Sequence, residues 1–296
     1  MRIVIAGSSG LIGTALQESL RSDGHETISL VRREVRAPDE SMWDPQGGHV
    51  DVELLASADA VVNLAGASIG DKRLTTTYAG VVLQSRLGAT GTLVRGLRDA
   101  AFSGVLLQGS AMGYYGARGN ETLTERSAPG DTLLASIVTQ WEAAAKPALE
   151  AGIRTVWCRT GLVLAPHGGF AARLLPLVQR GLLSRFGSGE AWHSWISLHD
   201  DVRALRFLMD SDHEGPANII APIAVKDREF IRVMAAAADK GTAFPVPAWA
   251  MRAAVGPAAE DLLSSQLAKP GVLNRLGFTW DHPEITSAAN WVMEGV

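Results

Sequence analysis

Two hydrophobic rhythms run along this chain. Short unbroken apolar runs alternate with longer stretches in which apolar residues recur every three or four positions. The first kind reads as buried strand and the second as amphipathic helix. Met1–Ala6 opens with a strand, and Thr14–Leu20 follows with Ala15, Leu16 and Leu20 on one helical face. Thr27–Val31 is a second strand. Residues 34–50 are polar and read as loop. Val52–Ala58 reads as a short helix that buries Leu54 and Leu55, and Asp59–Gly66 as a third strand with its turn. Residues 78–101 carry Val82, Leu83, Leu87, Leu93, Val94 and Leu97 at helical spacing. Gly104–Ser110 is a fourth strand, 117–132 a loop, and Leu133–Glu150 a helix in which Pro147 marks either a kink or the start of a new turn. Arg154–Arg159 is a fifth strand, continued by Thr160–Leu164.

After about residue 165 the rhythm loosens. Phe170–Arg180 reads as helix, Trp192–Ser197 as strand, and Asp200 as the cap of a helix running to Asp210. Pro216–Ala221 reads as another strand. Helices dominate from Lys226, and Pro245-Val246-Pro247 opens a tail that runs to Phe278. Strands alternating with helices predict an α/β, doubly wound parallel sheet with a smaller, mostly helical C-terminal lobe. The expected division is 1–165 for a dinucleotide-binding domain and 166–296 for a substrate lobe and tail, with strands from about 190–221 free to return to the first domain.

The first strand-to-helix turn is Gly7-Ser8-Ser9-Gly10-Leu11-Ile12-Gly13. A glycine-rich turn between strand and helix is a phosphate cradle. Gly7 permits a tight turn, Gly10 lets backbone approach a pyrophosphate, and Gly13 lets the helix pack closely on the strand. Ser9, Leu11 and Ile12 then lie at the helix N-terminus, where free N–H groups and the dipole favour an anion. The spacing is GxxGxxG rather than the commoner GxGxxG, and the flanking strand and helix are what give it weight. The tip of the second strand carries Arg32 and Arg33. An acidic residue there selects the ribose hydroxyl of NAD, whereas an arginine pair suits the 2′-phosphate of NADP. Leu64, Ala65 and Gly66, small residues after a buried strand, give a second cofactor contact.

Composition narrows the picture. The 296 residues are 47% hydrophobic and 20% charged, an ordinary globular balance, and the net charge of −4 speaks against nucleic acid or an anionic membrane as the main partner. The single cysteine, Cys158, excludes an internal disulfide and sits in an apolar run as a core residue. No run approaches the ~18 apolar residues of a spanning helix. The N-terminus is itself a strand rather than a signal peptide, so the cytoplasm is the expected compartment.

Taken together, the glycine turn, Asn63-Leu64-Ala65-Gly66, Ser110 and Tyr115-Gly116 resemble the extended short-chain dehydrogenases/reductases. Ser85-Arg86, Gly113-Tyr114-Tyr115-Gly116, Trp141-Glu142-Ala143-Ala144, Arg159–Leu164, Ser194-Trp195-Ile196 and Lys269-Pro270…Gly277-Phe278 are similar to the branch called epimerase family proteins, also filed as nucleoside-diphosphate-sugar epimerases. The resemblance covers essentially the whole chain. It implies a Rossmann domain binding NADP, contacts at the glycine turn, Arg32, Leu64, Ala65 and Arg86, and nicotinamide beside the Val163 backbone. Similar proteins form dimers through a four-helix contact. Helices 78–101 and 133–150 could make such a homodimer or simply pack on the sheet.

One departure bears on the chemistry. Working members of the superfamily pair a substrate-polarising Ser with a Tyr four residues before a Lys on one helix face, the Lys lowering the Tyr pKa. Ser110 is present. Trp141 stands where the Tyr is expected, beside the nicotinamide, and Ala145 where the Lys is expected. Lys146 is one residue late and points elsewhere. Three readings follow. An oxidoreductase or epimerase acting on a small molecule could use a relocated acid, with Tyr115 or Tyr114 the leading candidates and His193 or His199 further options. Against this, Tyr115 shows no basic partner, and Asp200 and Asp201 read as helix cap and first-turn acid. The protein could instead bind NADP without turnover, as a sensor or scaffold. A purely structural role with a vestigial site fits the intact glycine turn and arginine pair least well.

Overall fold

The computed structural model describes residues 1–69, 72–255, 259 and 263–295. Its centre is a seven-stranded sheet built from β1 (Arg2–Ala6), β2 (Glu26–Val31), β3 (Glu40–Met42), β4 (Ala60–Asn63), β5 (Val105–Ala111), β7 (Arg154–Thr160) and β12 (Gly215–Ile219). The order is β12-β7-β5-β4-β1-β2-β3, and every neighbouring pair is parallel. Strand order reverses between β1 and β4. In an open parallel sheet that reversal leaves a crevice at the carboxyl ends of the strands.

Both faces are covered, which is why the strands read as continuous apolar runs. Ile3 and Ile5 point toward α1 (Leu11–Ser22) and α6 (Leu198–Asp210), where Leu16, Leu20, Leu205 and Leu208 meet them. Val4 and Ala6 point the other way, toward α2 (Val52–Ala56), α3 (Thr76–Asp99) and α4 (Leu133–Glu150), packing with Leu55, Leu93, Leu97 and Ala148. A second core lies in the later lobe. It joins Phe186, Trp195 and Phe230 to residues of α7 (Asp227–Ala237) and of α10 (Ile285–Glu294). Side chains of α5 (Gly169–Val178) and α8 (Ala248–Val255) also reach this core.

Several local expectations need correction. The first helix starts at Leu11, not Thr14, because Gly10 already occupies the extended cap position. The stretch 34–50 contains β3, which pairs with β2 from Ser29↔Glu40 onward. It is too short and polar to show a periodic signal. The fifth strand does not run through to Leu164. It breaks at Gly161, where a Cβ would strike the Ser194 carbonyl, and β8 (Leu162–Leu164) pairs instead with β11 (Trp195–Ser197). Pro147 lies inside α4 without ending it. The preceding turn faces out at Ala143 and Lys146, so the Ala143 carbonyl that Pro147 cannot bond lies on the exposed side. Ser197, not Asp200, caps α6, its hydroxyl accepting from the Asp200 amide at 3.1 Å.

The tail returns to the first half of the molecule. β15 (Leu267–Ala268) pairs with β6 (Thr122–Leu123), and Val272 and Leu273 of α9 (Gly271–Leu276) join Phe278 in the core under the sheet. With β12 completing the sheet, the chain beyond residue 165 builds part of the dinucleotide half as well as the second lobe. Residues 256–258 and 260–262, within the region expected to be helical, lie outside the described residues.

Candidate functional site

The glycine turn sits at the strand-order reversal. Gly7 has φ +85°, and a Cβ there would meet the Leu64 carbonyl carbon at 2.6 Å and the Ala65 amide nitrogen at 2.9 Å. Leu64 and Ala65 are therefore pressed against the turn, and only glycine allows it. A Cβ on Gly13 would overlap the Gly7 carbonyl oxygen. The Gly10 amide closes the turn onto that same oxygen at 3.1 Å, and no side chain caps α1. Its first-turn amides at Leu11 and Ile12 thus face the crevice with the positive end of the helix behind them. Ser9 and Gly10 are exposed at the rim. From above, the loop between β8 and α5 closes on the cradle. A Cβ on Gly169 would lie 2.9 Å from Leu11 Cδ2 and 3.7 Å from the Val163 carbonyl oxygen, so Val163 stands at the same edge.

Arg32 and Arg33 directly follow β2, the strand beside β1, but they are not equivalent. Arg33 holds Glu40 with both guanidinium nitrogens, Nη1 to Oε2 at 2.8 Å and Nη2 to Oε1 at 2.6 Å. The Arg36 amide adds a bond to Oε2 at 2.8 Å. These bonds hold the Glu40 carboxyl down at about 2. Arg32 is exposed and has no hydrogen bond or ion pair among the described residues. The expected pair is thus one free cation and one engaged cation.

Gly66 lies against Arg86, whose Cζ would be 3.0 Å from a Cβ there. The Arg86 guanidinium donates to the Ala67 and Val82 carbonyls at 2.8 and 3.2 Å and stacks on Trp141, 4.9 Å from the ring centroid. Burial lowers its pKa to about 10. Trp141 is buried. Its indole N–H donates to Thr90 Oγ1 at 3.1 Å, and its ring lies over Gly109. Trp141 thus fills space between sheet and helices, with Arg86 between it and Gly66. Ala145 is buried and Lys146 exposed, so no Lys faces inward from this turn of α4.

Beside Trp141 a polar row crosses the carboxyl ends of three strands. Ser110, Arg159 and Asn218 are register neighbours on β5, β7 and β12. Glu142 descends on this row from α4, and Tyr115 from the 3-10 turn Met112–Tyr115. Ser110 Oγ donates to Glu142 Oε1 at 2.6 Å. Arg159 grips the same carboxylate with Nε at 2.8 Å and Nη2 at 2.9 Å. Arg159 Nη1 donates to the Tyr115 hydroxyl at 2.9 Å, which donates to Asn218 Oδ1 at 2.7 Å. The Arg159 guanidinium also lies 3.5 Å from the Tyr114 ring centroid. Burial opposes the charge on Arg159, but the Glu142 carboxylate more than offsets it and raises the guanidinium pKa.

Tyr115, the leading candidate acid, lies inside this row. Its side chain has no exposure, and its hydroxyl is closed inside the row. Burial, only partly opposed by Arg159, pushes its pKa up to about 12. Such a phenol keeps its proton near neutral pH, and its two hydrogen bonds brace the row. Ser110 is where the sequence places it, but its proton is committed to Glu142. Toward the crevice it offers lone pairs rather than a donor.

The other candidates lie apart from this row. His193 pairs with buried Asp227 at 3.0 Å in the second lobe, and His199 pairs with exposed Asp281 at 2.7 Å. Asp200 accepts the Asp281 and His282 amides at 2.9 and 2.8 Å, anchoring the tail. Cys158 is buried, which pushes its thiol pKa up. Asp201 is fully buried with neither oxygen bonded among the described residues, and burial raises its pKa to about 8. Glu142, Arg159 and Asn218 were not singled out by sequence reasoning as site residues. Their signal was a polar residue inside an apolar run, in Val156-Trp157-Cys158-Arg159 and Ala217-Asn218-Ile219-Ile220.

A seven-stranded parallel sheet with a glycine cradle at its reversal and a serine at the end of β5 defines a Rossmann-like dinucleotide fold. Residues 3–224 match the model of the NAD dependent epimerase/dehydratase family, and residues 246–292 match a domain of unknown function, DUF1731. The chain belongs to the NAD dependent epimerase/dehydratase family. It is 39% identical over 291 residues to an epimerase family protein of Mycobacterium bovis, covering 98% of this chain and 96% of that one. The mouse epimerase family protein SDR39U1 is 32% identical, with 97% and 98% covered. Among solved structures, human SDR39U1 (isoform 2) with NADPH superposes with a TM-score of 0.92 at 30% identity over the whole of both chains. A nucleoside-diphosphate sugar epimerase from Corynebacterium glutamicum gives 0.80 at 32% identity, covering 97% of this chain and 57% of that one.

Proposed function

We propose that this protein is an NADP(H)-dependent oxidoreductase or epimerase acting on a small-molecule substrate. The observation that carries the reading is the cradle formed by Gly7, Gly10 and Gly13 against Leu64 and Ala65, with Arg32, unpartnered among the described residues, just past β2. A pyrophosphate suits the uncapped amides of α1, and a 2′-phosphate suits Arg32. The structure of human SDR39U1 with NADPH supports the same cofactor here. The residues proposed to hold it are Gly7, Ser9, Gly10, Leu11, Ile12, Gly13, Arg32, Leu64, Ala65, Gly66, Arg86 and Val163, with Trp141 behind Arg86. Arg33, tied to Glu40, leaves that set as a direct contact.

The bound nicotinamide would supply hydride transfer. Ser110 would orient the substrate by accepting a hydrogen bond, because its own proton lies on the Glu142 side. Arg159 and Tyr115 would keep that carboxylate fixed. A second reading, a binder without turnover, draws on the closure of the Tyr115 hydroxyl and the absence of an inward Lys beside Trp141.

Titration with NADPH and NADH, followed by tryptophan fluorescence and thermal shift, tests the cofactor. Tight binding of NADPH supports the proposal, and absence of both signals at millimolar NADPH defeats it. NADPH oxidation across sugar nucleotides, aldehydes and ketones then separates the enzyme from the binder.

A further inference from the structure

The loop between β2 and β3 is organised by one carboxylate. Glu40 begins β3, in register with Ser29, and its backbone is tied by Ser29 N to Asp39 O at 2.8 Å and Glu40 N to Ala37 O at 3.2 Å. Its side chain is 13% exposed, whereas that of Arg33 is 45% exposed. Glu40 is therefore the fixed member of the pair, and Arg33 is drawn to it. The Arg33 Nη1 bond to the Glu34 carbonyl at 2.9 Å and the Arg36 amide bond close the loop around the same carboxylate. The nearby Asp39 carboxylate is itself taken by Arg21 at 2.5 Å. Arg32, one residue earlier at the strand tip, is left without a partner among the described residues.

Resting on the cofactor reading above, we propose that Glu40 tunes dinucleotide preference. By holding Arg33 in a two-point ion pair, it withholds one of two guanidinium groups and leaves Arg32 alone to read the 2′-phosphate. Glu40 is a specificity-setting residue acting through Arg33, not a contact to the cofactor.

The test uses the full chain at fixed ionic strength, titrated with NADPH, NADH, 2′,5′-ADP and 5′-AMP. In R32A, NADPH and 2′,5′-ADP should bind at least about tenfold more weakly, with NADH and 5′-AMP unchanged. In R33A, loss should stay within about twofold for all four, since that cation is already spent on Glu40. In E40Q, NADPH and 2′,5′-ADP should bind about three- to tenfold more tightly, with NADH unchanged, and added salt should erode the gain. Most of that gain should vanish in R33A/E40Q, where the released guanidinium is missing. An R33A loss as large as that of R32A overturns the proposal, as does unchanged or weakened NADPH binding in E40Q. Thermal unfolding of each variant identifies any loss that comes from the fold, and E40D, which keeps the charge, should then behave as wild type. If the wild type binds none of the four ligands, the cofactor reading itself falls and this proposal with it. If it binds them without the Glu40 effect, only the proposal falls.

Discussion

The Ser110 hydroxyl gives its proton to Glu142 Oε1 across 2.6 Å, and Arg159 holds the same oxygen from the other side at 2.8 Å. The serine that should polarise a substrate is thereby part of a buried ion-pair network. Removing one charge of such a pair strands the other. E142A should cost ~3–5 kcal/mol of unfolding free energy in urea, because Arg159 is left buried without its carboxylate. S110A removes only a neutral donor and should cost ~1 kcal/mol. Similar losses for the two variants would count against the network.

Tyr115 offers a contrast. Y115F leaves Asn218 Oδ1 and Arg159 Nη1 each short of a partner and should cost ~1–3 kcal/mol. NADPH affinity should stay within about twofold, because the hydroxyl is a brace rather than a cofactor group. If a substrate is found, loss of turnover in Y115F at unchanged stability would restore the tyrosine as an acid.

Gly13 gives a sharper test of the cradle. A methyl group there overlaps the Gly7 carbonyl oxygen, so G13A must push the turn and α1 apart. NADPH binding should fall by about a hundredfold or more, since a small misplacement of positioned groups is costly. G24A is the control. Gly24, unlike Gly13, has a positive φ (+78°), and nothing lies within 4 Å of a Cβ there, so it should lose stability without losing the ligand.

Tryptophan emission reports on the same edge. Arg86 separates Trp141 from Gly66, so NADPH at the cradle should quench part of the emission, and W141F should remove that part. R86A should weaken NADPH binding by about 1–3 kcal/mol if the cation meets a phosphate. Unaltered affinity would leave Arg86 as a packing group.

Asp201 sets a pH dependence. Its native pKa is raised to about 8 from an ordinary 3.8, so between these values the folded chain binds a proton that the unfolded chain has released. Stability therefore falls as pH rises across that window and levels off above it. D201N should flatten the dependence and give the more stable protein at pH 8.5. A steeper slope in D201N, followed by urea midpoints at pH 6 and 8.5, would reverse this account.

The fold was legible because its signals are local. Ile3–Ala6 must be strand, Gly7–Gly13 must be a turn into helix, and the later strand–helix alternation follows from periodicity. β3 was missed because a three-residue edge strand has no period to detect. The engagement of Arg33 depended on β3, so it was hidden too. The polar row was hidden for another reason. Ser110, Glu142, Arg159 and Asn218 are far apart in sequence and meet only through strand register and the angle of α4. Sequence spacing places residues along one helix or strand, not across three strands.

The pairing of β15 with β6 brings the far end of the chain back to residues 122–123. Glu125 extends the tie. Its Oε1 accepts the Val272 and Asn218 amides at 3.0 and 3.3 Å, and Asn218 Nδ2 donates to the Lys269 carbonyl at 2.9 Å. During synthesis the glycine turn emerges first, yet the core beneath it, shared by Ile3, Leu16, Val272 and Phe278, and the tie on the polar row both wait for residues 267–278. Loss of the C-terminus would accordingly loosen the turn and the row together.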